Sequence, residues 1–267
     1  FLFSFMKHIA NICISIFAIC FINENKKSKG ISKYKKCSFF QECLSALFEQ
    51  RIKEKIVITT STPSENIQNI AEEFKTTVII NQNSSGIGSD WNFAINHCEN
   101  NYACLAHQDD IYLSNYTSVF SRYIEKYPRA LIYFSDYAEI INNHIIKWNL
   151  RLMIKRFLLI PFYFKRSIKS KFMKKLILSF GSPICCPSVI YNKEQLGKFE
   201  FSKDFHINLD WDAWWRLANQ EGAFVYIPRI LVYHRIHDKA ETSKAKRDNR
   251  RILEDEKMFN EIWGKNF

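Results

Sequence analysis

The sequence predicts an α/β protein with a mostly parallel sheet flanked by helices, and three observations predict it. Short apolar runs alternate with amphipathic stretches of helical period through about residue 136. The 267 residues are 47% hydrophobic and 15% aromatic, enough for a sizeable core, which excludes global disorder. Only 7 Gly and 6 Pro are present, which excludes collagen-like and loop-dominated architectures. No repeat of solenoid length is visible, and no linker separates the halves, so residues 1–267 read as one domain with an atypical segment at 1–38.

Taken in order, Ile9 to Ile22 is apolar apart from Asn11 and Ser15. This run is short of the roughly 20 residues that span a bilayer. Its alternating β-branched and small residues read as a buried first strand, with a membrane anchor as the other reading. Residues 24–36 are Lys-rich and read as a loop. Phe39 to Gln50 has helical period, with Phe40, Cys43, Leu44 and Leu47 on one face. Ile56–Thr60 is a strand, Ser61–Ser64 a turn carrying Pro63, and Ser64–Phe74 a helix capped by Ser64. Thr77–Ile80 is the next strand, followed by a Gly-bearing loop at 81–88 and a helix from about Ser89 to Cys98. Tyr102–Ala106 is a strand, Leu113–Lys126 a helix and Ala130–Ser135 a strand, an alternation that makes the sheet Rossmann-like.

The second half is less regular. A loop at Gly181–Pro187 leads into a short strand through Tyr191, and Leu209–Gln220 is a Trp-rich amphipathic helix. Ala223–Tyr233 reads as a strand interrupted by Pro228, and Ser243–Trp263 as a charged closing helix.

The formal net charge of +11 points to an anionic partner, and it is unevenly placed. Arg151 to Lys175 holds nine Lys or Arg and no acid. Together with the apolar run Phe157–Phe164, the region 145–180 has two readings: a face lying on an anionic membrane, or a solvated helix pair with a buried side. None of the eight cysteines forms a CxxC pair or a zinc-like spacing, so they read as reduced and mostly buried.

Chemistry enters at Tyr102–Tyr112, where an apolar strand ends in the adjacent carboxylates Asp109 and Asp110. The carboxyl ends of strands are where open α/β sheets bind ligands, and oxygen ligands suit Mg²⁺ or Mn²⁺ carrying phosphates. An Asp pair alone is more often an ordinary turn. Its companions in order are Ile56–Glu65, Gly86–Ile95, Asn208–Leu217 and Tyr233–His237, the last preceding Thr242–Ser243.

In this order and spacing the chain resembles family 2 glycosyltransferases of the GT-A fold, over roughly residues 40–245. The resemblance implies transfer of a sugar from a nucleotide-sugar donor, with inversion, to a glycan or lipid-linked acceptor, using Mg²⁺ or Mn²⁺. The family's Asp-x-Asp-Asp motif falls on His107–Asp110, making Asp109 the metal carboxylate and Asp110 its support, with His107 at the sugar or ribose. Asp210 matches the catalytic base, and Leu209 stands where the family has Glu. For Asp212, capping the helix is the better reading. His237 matches the histidine that approaches the metal or diphosphate, or is an ordinary satisfied polar residue; His234 and Arg235 are weaker phosphate contacts. At the nucleotide end the family's Asp-Asp reads Thr60-Ser61, with Glu65 nearby. Gly86 opens the following loop, and the family's Arg-Asn pair reads Trp91-Asn92, where Trp91 is better read as core. The family's Pro-x-Tyr-Asn loop has no counterpart between Ile22 and Tyr34. The expected location is cytoplasmic, at the inner face of the membrane, in cell-surface polysaccharide synthesis, with no nucleic-acid partner. The competing functions are a non-catalytic domain of the same fold and a basic nucleic-acid-binding module.

Overall fold

The protein, seen here as a computed structural model, is described over residues 14–19, 39–52, 54–83, 86–238 and 249–264. The expected loop at 24–36, the Thr242–Ser243 pair and the first turns of the expected closing helix lie outside those residues.

A ten-stranded sheet organises the molecule. The expected first strand is present as β1 (Ile14–Ile19), between β2 (Lys55–Thr60) and β4 (Tyr102–His107) and parallel to both. Next to β2, also parallel, lies β3 (Thr77–Ile80). Beyond β4 comes β9 (Val189–Asn192), antiparallel to β4 and to β6 (Ala130–Ile141). The long strand β10 (Ala223–Ile236) runs parallel to β6. Short antiparallel partners complete the sheet: β5 (Ile111–Tyr112) and β8 (Ser167–Ile168) on β10, and β7 (His144–Ile146) on β6. By paired length the sheet is largely parallel. No helix among the described residues is long and apolar enough to cross a membrane.

Side-chain alternation divides the core into two layers, one on each face of the sheet. Along β6, Ile132 and Phe134 join one layer and Tyr133 the other; along β10, Phe224 and Tyr226 oppose Val225 and Ile227. One layer is covered by α1 (Phe39–Phe48) through Phe40, Cys43, Leu44 and Leu47, by α2 (Glu65–Glu73) and by α4 (Tyr116–Lys126). The other is covered by α3 (Ile87–Asn96), α7 (Lys171–Leu178), α9 (Leu209–Ala218) and Met258 of α10 (Arg250–Trp263). Ser64 caps α2 as expected, accepting from the Ile67 amide at 3.3 Å. The short helices α5 (Leu150–Leu158), α6 (Ile160–Phe164) and α8 (Lys193–Leu196) complete the set.

The structure corrects the expected strand ends. Pro228 does not interrupt β10; the register with β6 shifts between Ile227 and Ile230, so the residue lacking an N–H sits in a bulge and pairing resumes to Ile236. Strand β6 continues past Ser135 because cations of α5 satisfy its acids. Arg156 pairs with Asp136 at 3.0 Å, and Arg151 with the buried Glu139 at 2.6 Å. Much of the basic segment is therefore structural. Lys171 pairs with Glu221, and Lys174 is fully buried, its ammonium donating to the Gln220 and Gly222 carbonyls at 2.8 and 2.9 Å. Burial pulls the Lys174 pKa down to about 8. Cys43, Cys98, Cys104, Cys185 and Cys186 are buried thiols outside any disulfide.

Helix α3 is pinned to the loop before α9. A β-carbon at Gly88 would stand 2.6 Å from the Ser202 carbonyl oxygen. Gly88→Ala is expected to lower stability by about 1–3 kcal/mol, read as a lower urea midpoint with an unchanged slope.

Candidate active site

The site forms where β4 ends beside the last turn of β10. Asp110 is fully buried; its Oδ1 lies 2.9 Å from His234 Nδ1 and accepts from the Arg235 amide at 2.9 Å. The neighbouring Asp109 faces outward, its Oδ2 3.0 Å from His237 Nε2. Arg235 locks the two segments together: Nε donates to the Asp109 carbonyl at 2.9 Å, Nη2 to Glu42 at 2.5 Å, and the guanidinium lies 4.2 Å from the Phe39 ring centroid. Arg235 is thus a clamp rather than a phosphate contact, and His234 props Asp110.

Electrostatics follow from this packing. Burial works against an ionised Asp109, but the His237 hydrogen bond and the charges of His234 and His107 hold its carboxyl below the ordinary value. His234 is pulled down by burial and raised overall by Asp110. At His107 burial prevails over Asp110, Asp109 and Asp210 and lowers the pKa, favouring the neutral ring. His107 ends β4 with its ring 5.4 Å from that of Trp91, and its Nε2 is buried without a hydrogen bond among the described residues. Trp91, 7% exposed, belongs to the core as expected.

The nucleotide-side residues are only partly gathered. Thr60 is buried and folds its hydroxyl back to accept from the Thr62 amide at 3.0 Å. Ser61 donates to Asp90 at 2.9 Å, and Asn81 donates to the other Asp90 oxygen at 2.7 Å. Asp90 was missed by sequence reasoning although it lies inside the Gly86–Ile95 stretch; it brings a carboxylate to the end of β2, where Thr60-Ser61 has none. Gly86, with φ of 119°, starts α3, a backbone conformation that favours glycine. Asn92 turns away: its amide donates to the Phe201 carbonyl at 2.9 Å and accepts from the Phe201 amide at 2.7 Å, so it clamps a loop. Glu65 is exposed in the first turn of α2.

Asp210 opens α9, half-buried, with Oδ1 accepting from the Trp211 amide at 2.7 Å. Burial pushes its pKa up, opposed by the charges of Lys155 and Arg251. Asp212 does not cap the helix; it holds Arg216 through Nε at 2.9 Å and Nη2 at 2.8 Å. The helix start is fixed instead from α10, where the Glu254 carboxylate accepts from the amides of His206, Ile207 and Asn208 at 2.8–2.9 Å. Trp211 Nε1 adds a bond to the Leu178 carbonyl at 2.9 Å. Asp210 therefore rests on a rigid base.

Among the described residues no group of three or more His, Cys, Asp or Glu is arranged to hold a metal. Asp109 and His237 do supply an oxygen and a nitrogen side by side, which fits a Mg²⁺ or Mn²⁺ whose remaining ligands are water and substrate phosphates. Asp110 lies behind them, fully buried, with Oδ1 held by His234 and the Arg235 amide.

A profile of the family described as glycosyl transferase family 2 matches residues 30–195. The chain belongs to glycosyl transferase family 2. As a family 2 glycosyltransferase it shares its fold with solved relatives of low identity. The 1–349 fragment of S. aureus TarS matches with a TM-score of 0.60 at 14% identity, over 84% of this chain and 60% of that one. The same fragment in complex with UDP-GlcNAc matches at 0.56 and 14% identity, over 87% and 61%. The mannosyltransferase PcManGT from Pyrobaculum calidifontis, in complex with GDP-Man and Mn²⁺, matches at 0.59 and 10% identity, over 90% and 61%. The family 2 chain thus spans about six tenths of each of these neighbours. No curated protein matches it in sequence.

Proposed function

We propose that the chain is an inverting glycosyltransferase that moves a sugar from a nucleotide-sugar, with Mg²⁺ or Mn²⁺, to a glycan or lipid-linked acceptor in cell-surface polysaccharide synthesis. The observation that carries this reading is the Asp109–His237 pair beyond the end of β4, together with a half-buried Asp210 at a helix start. A divalent ion, when bound, neutralises charge building on the leaving nucleoside diphosphate. Asp109 and His237 would hold it. Asp210 takes the proton from the acceptor hydroxyl as oxygen attacks the anomeric carbon, and its raised pKa makes it a better base than an exposed aspartate. His107, neutral and with a free buried nitrogen, offers a hydrogen bond to the donor. UDP-GlcNAc and GDP-Man in two neighbours support a nucleotide-sugar and leave base and sugar open.

The experiment is a thermal-shift panel of nucleoside diphosphates with and without Mn²⁺. Binding to the folded state raises the melting temperature; one base is expected to do so, and only with the ion. A flat panel sinks the reading.

The same enzyme is proposed to work at the inner face of the membrane, by peripheral contact. Among the described residues, Leu150, Phe157, Phe164, Phe172 and Phe180 are exposed along the same stretch of chain as the exposed Lys165 and Lys169. Apolar side chains beside lysines suit an anionic bilayer. Co-sedimentation with phosphatidylglycerol vesicles and not with phosphatidylcholine vesicles is expected, and Phe157→Ser with Phe164→Ser should abolish it.

A further inference from the structure

Helix α9 does not secure its own start. Asn208, which precedes it, makes no side-chain capping bond to the helix, so groups outside the helix set where it begins. Two such holds meet on the segment 201–208 that leads into it. At one end stands α3: Asn92 donates to the Phe201 carbonyl and accepts from the Phe201 amide, a two-bond clamp at 2.9 and 2.7 Å. The Trp91 ring meets that of Phe201 edge-on with centroids 4.9 Å apart, and the same ring lies 5.4 Å from His107 at the end of β4. Gly88 lets α3 come close. A β-carbon there would stand 2.6 Å from the Ser202 carbonyl oxygen and 3.1 Å from Leu209, the residue before Asp210. At the other end stands α10. Glu254 takes the three consecutive amides of 206–208, and Asp255, held in turn by Arg251, takes the Asn208 side-chain amide at 2.8 Å.

Hydrogen bonds from backbone amides to a carboxylate are charge-assisted, and so shorter and stronger than neutral ones. Three of them on Glu254, with the two on Asn92, fix the path of a segment that has no helix or strand of its own. A general base must lie within hydrogen-bond reach of the proton it takes, and a misplacement of about 1 Å can cost about 100-fold in rate. We propose that Asn92 and Glu254 are positioning residues for Asp210, holding segment 201–208 between α3 and α10 so that the start of α9 presents its carboxylate at one place. Asn92 then serves the acceptor chemistry and not the nucleotide, although Asp90 of the same helix binds Ser61 at the nucleotide end. This rests on the transferase reading, with Asp210 as the base.

The test uses the whole chain as wild type, Asn92→Ala, Glu254→Ala and Glu254→Gln. Transfer from UDP- and GDP-sugars to acceptor-containing membranes is measured beside binding of UDP and GDP, all in Mn²⁺. Asn92→Ala and Glu254→Ala are expected to lower kcat by about 10- to 100-fold and to leave the donor KM and the nucleoside diphosphate Kd as in wild type. Glu254→Gln keeps an oxygen that can accept from Ile207 and Asn208, and should recover part of the loss. Placed on Asp210→Asn, neither alanine substitution should lower the residual rate further, because each acts through the carboxylate already removed. A merely structural role would lower the rate in both backgrounds. Unchanged kcat in both alanine variants, a parallel loss of nucleoside diphosphate affinity, or full additivity on Asp210→Asn overturns the proposal. A second measurement needs no variant that folds. In wild type the amides of Phe201, His206, Ile207 and Asn208 should exchange slowly with deuterium although they lie in a loop, and fast exchange overturns the proposal. Wild type that transfers no sugar sinks the transferase reading and this proposal with it, whereas an active wild type with indifferent variants sinks this proposal alone.

Discussion

Asp210→Asn is expected to lower sugar transfer by about 10²- to 10⁴-fold while nucleoside diphosphate binding stays as in wild type. The amide keeps the shape of the side chain and can still accept from the Trp211 amide, so helix α9 stays in place. What is lost is the lone pair that receives the acceptor proton. The sign of the pH effect is set by burial, which raises the folded-state pKa of Asp210 above the unfolded value. The acid limb of the wild-type rate profile should therefore lie above the ordinary carboxylate value. Lys155 opposes that rise, so Lys155→Met should move the limb higher still. Stability runs the other way. With a raised folded pKa, the protein loses stability as pH climbs from the unfolded value through the folded one, since the folded state holds its proton longer. Above that window wild type carries a buried charge that Asn removes. Asp210→Asn should accordingly melt higher than wild type at neutral pH, an inactive but more stable enzyme.

The second large effect is at Asp109. Asp109→Asn removes the charge that faces outward at the end of β4 and leaves the Asp110–His234–Arg235 support intact. Titration of Mn²⁺ in the presence of nucleoside diphosphate should show affinity reduced by at least about 10- to 100-fold, with transfer falling in parallel. The contrast with Asp110 is informative. Asp110→Ala leaves His234 and the Arg235 amide facing a buried gap, and should appear first as a loss of about 3–5 kcal/mol in unfolding free energy, not as a selective loss of metal.

The candidate site was not equally legible in all its parts. Asp109 and Asp110 were legible as carboxylates ending an apolar strand, whereas Asp210 and His237 were singled out through the family resemblance. The helix face of α1 and the Ser64 cap were legible from local periodicity. Roles set by partners far along the chain were not. Arg235 reads as a phosphate contact until Glu42, 193 residues away, is seen beside it. Asn92 reads as a nucleotide residue until Phe201 takes its amide. Glu254, which seats the Asp210 helix, carries no local signal because its three amide partners lie 46–48 residues earlier. The basic run was only partly legible: composition shows nine cations, while the fold engages Arg151, Arg156, Lys171 and Lys174 with its own groups.

The account stands most directly on a single comparison: release of nucleoside diphosphate from a panel of UDP- and GDP-sugars, with acceptor-containing membranes, by wild type and Asp210→Asn in Mn²⁺ or in chelator. The account predicts release by wild type from one donor class, abolished by chelator and reduced about 10²-fold or more by the substitution. Equal release by both proteins, or none by wild type from any donor, would contradict it.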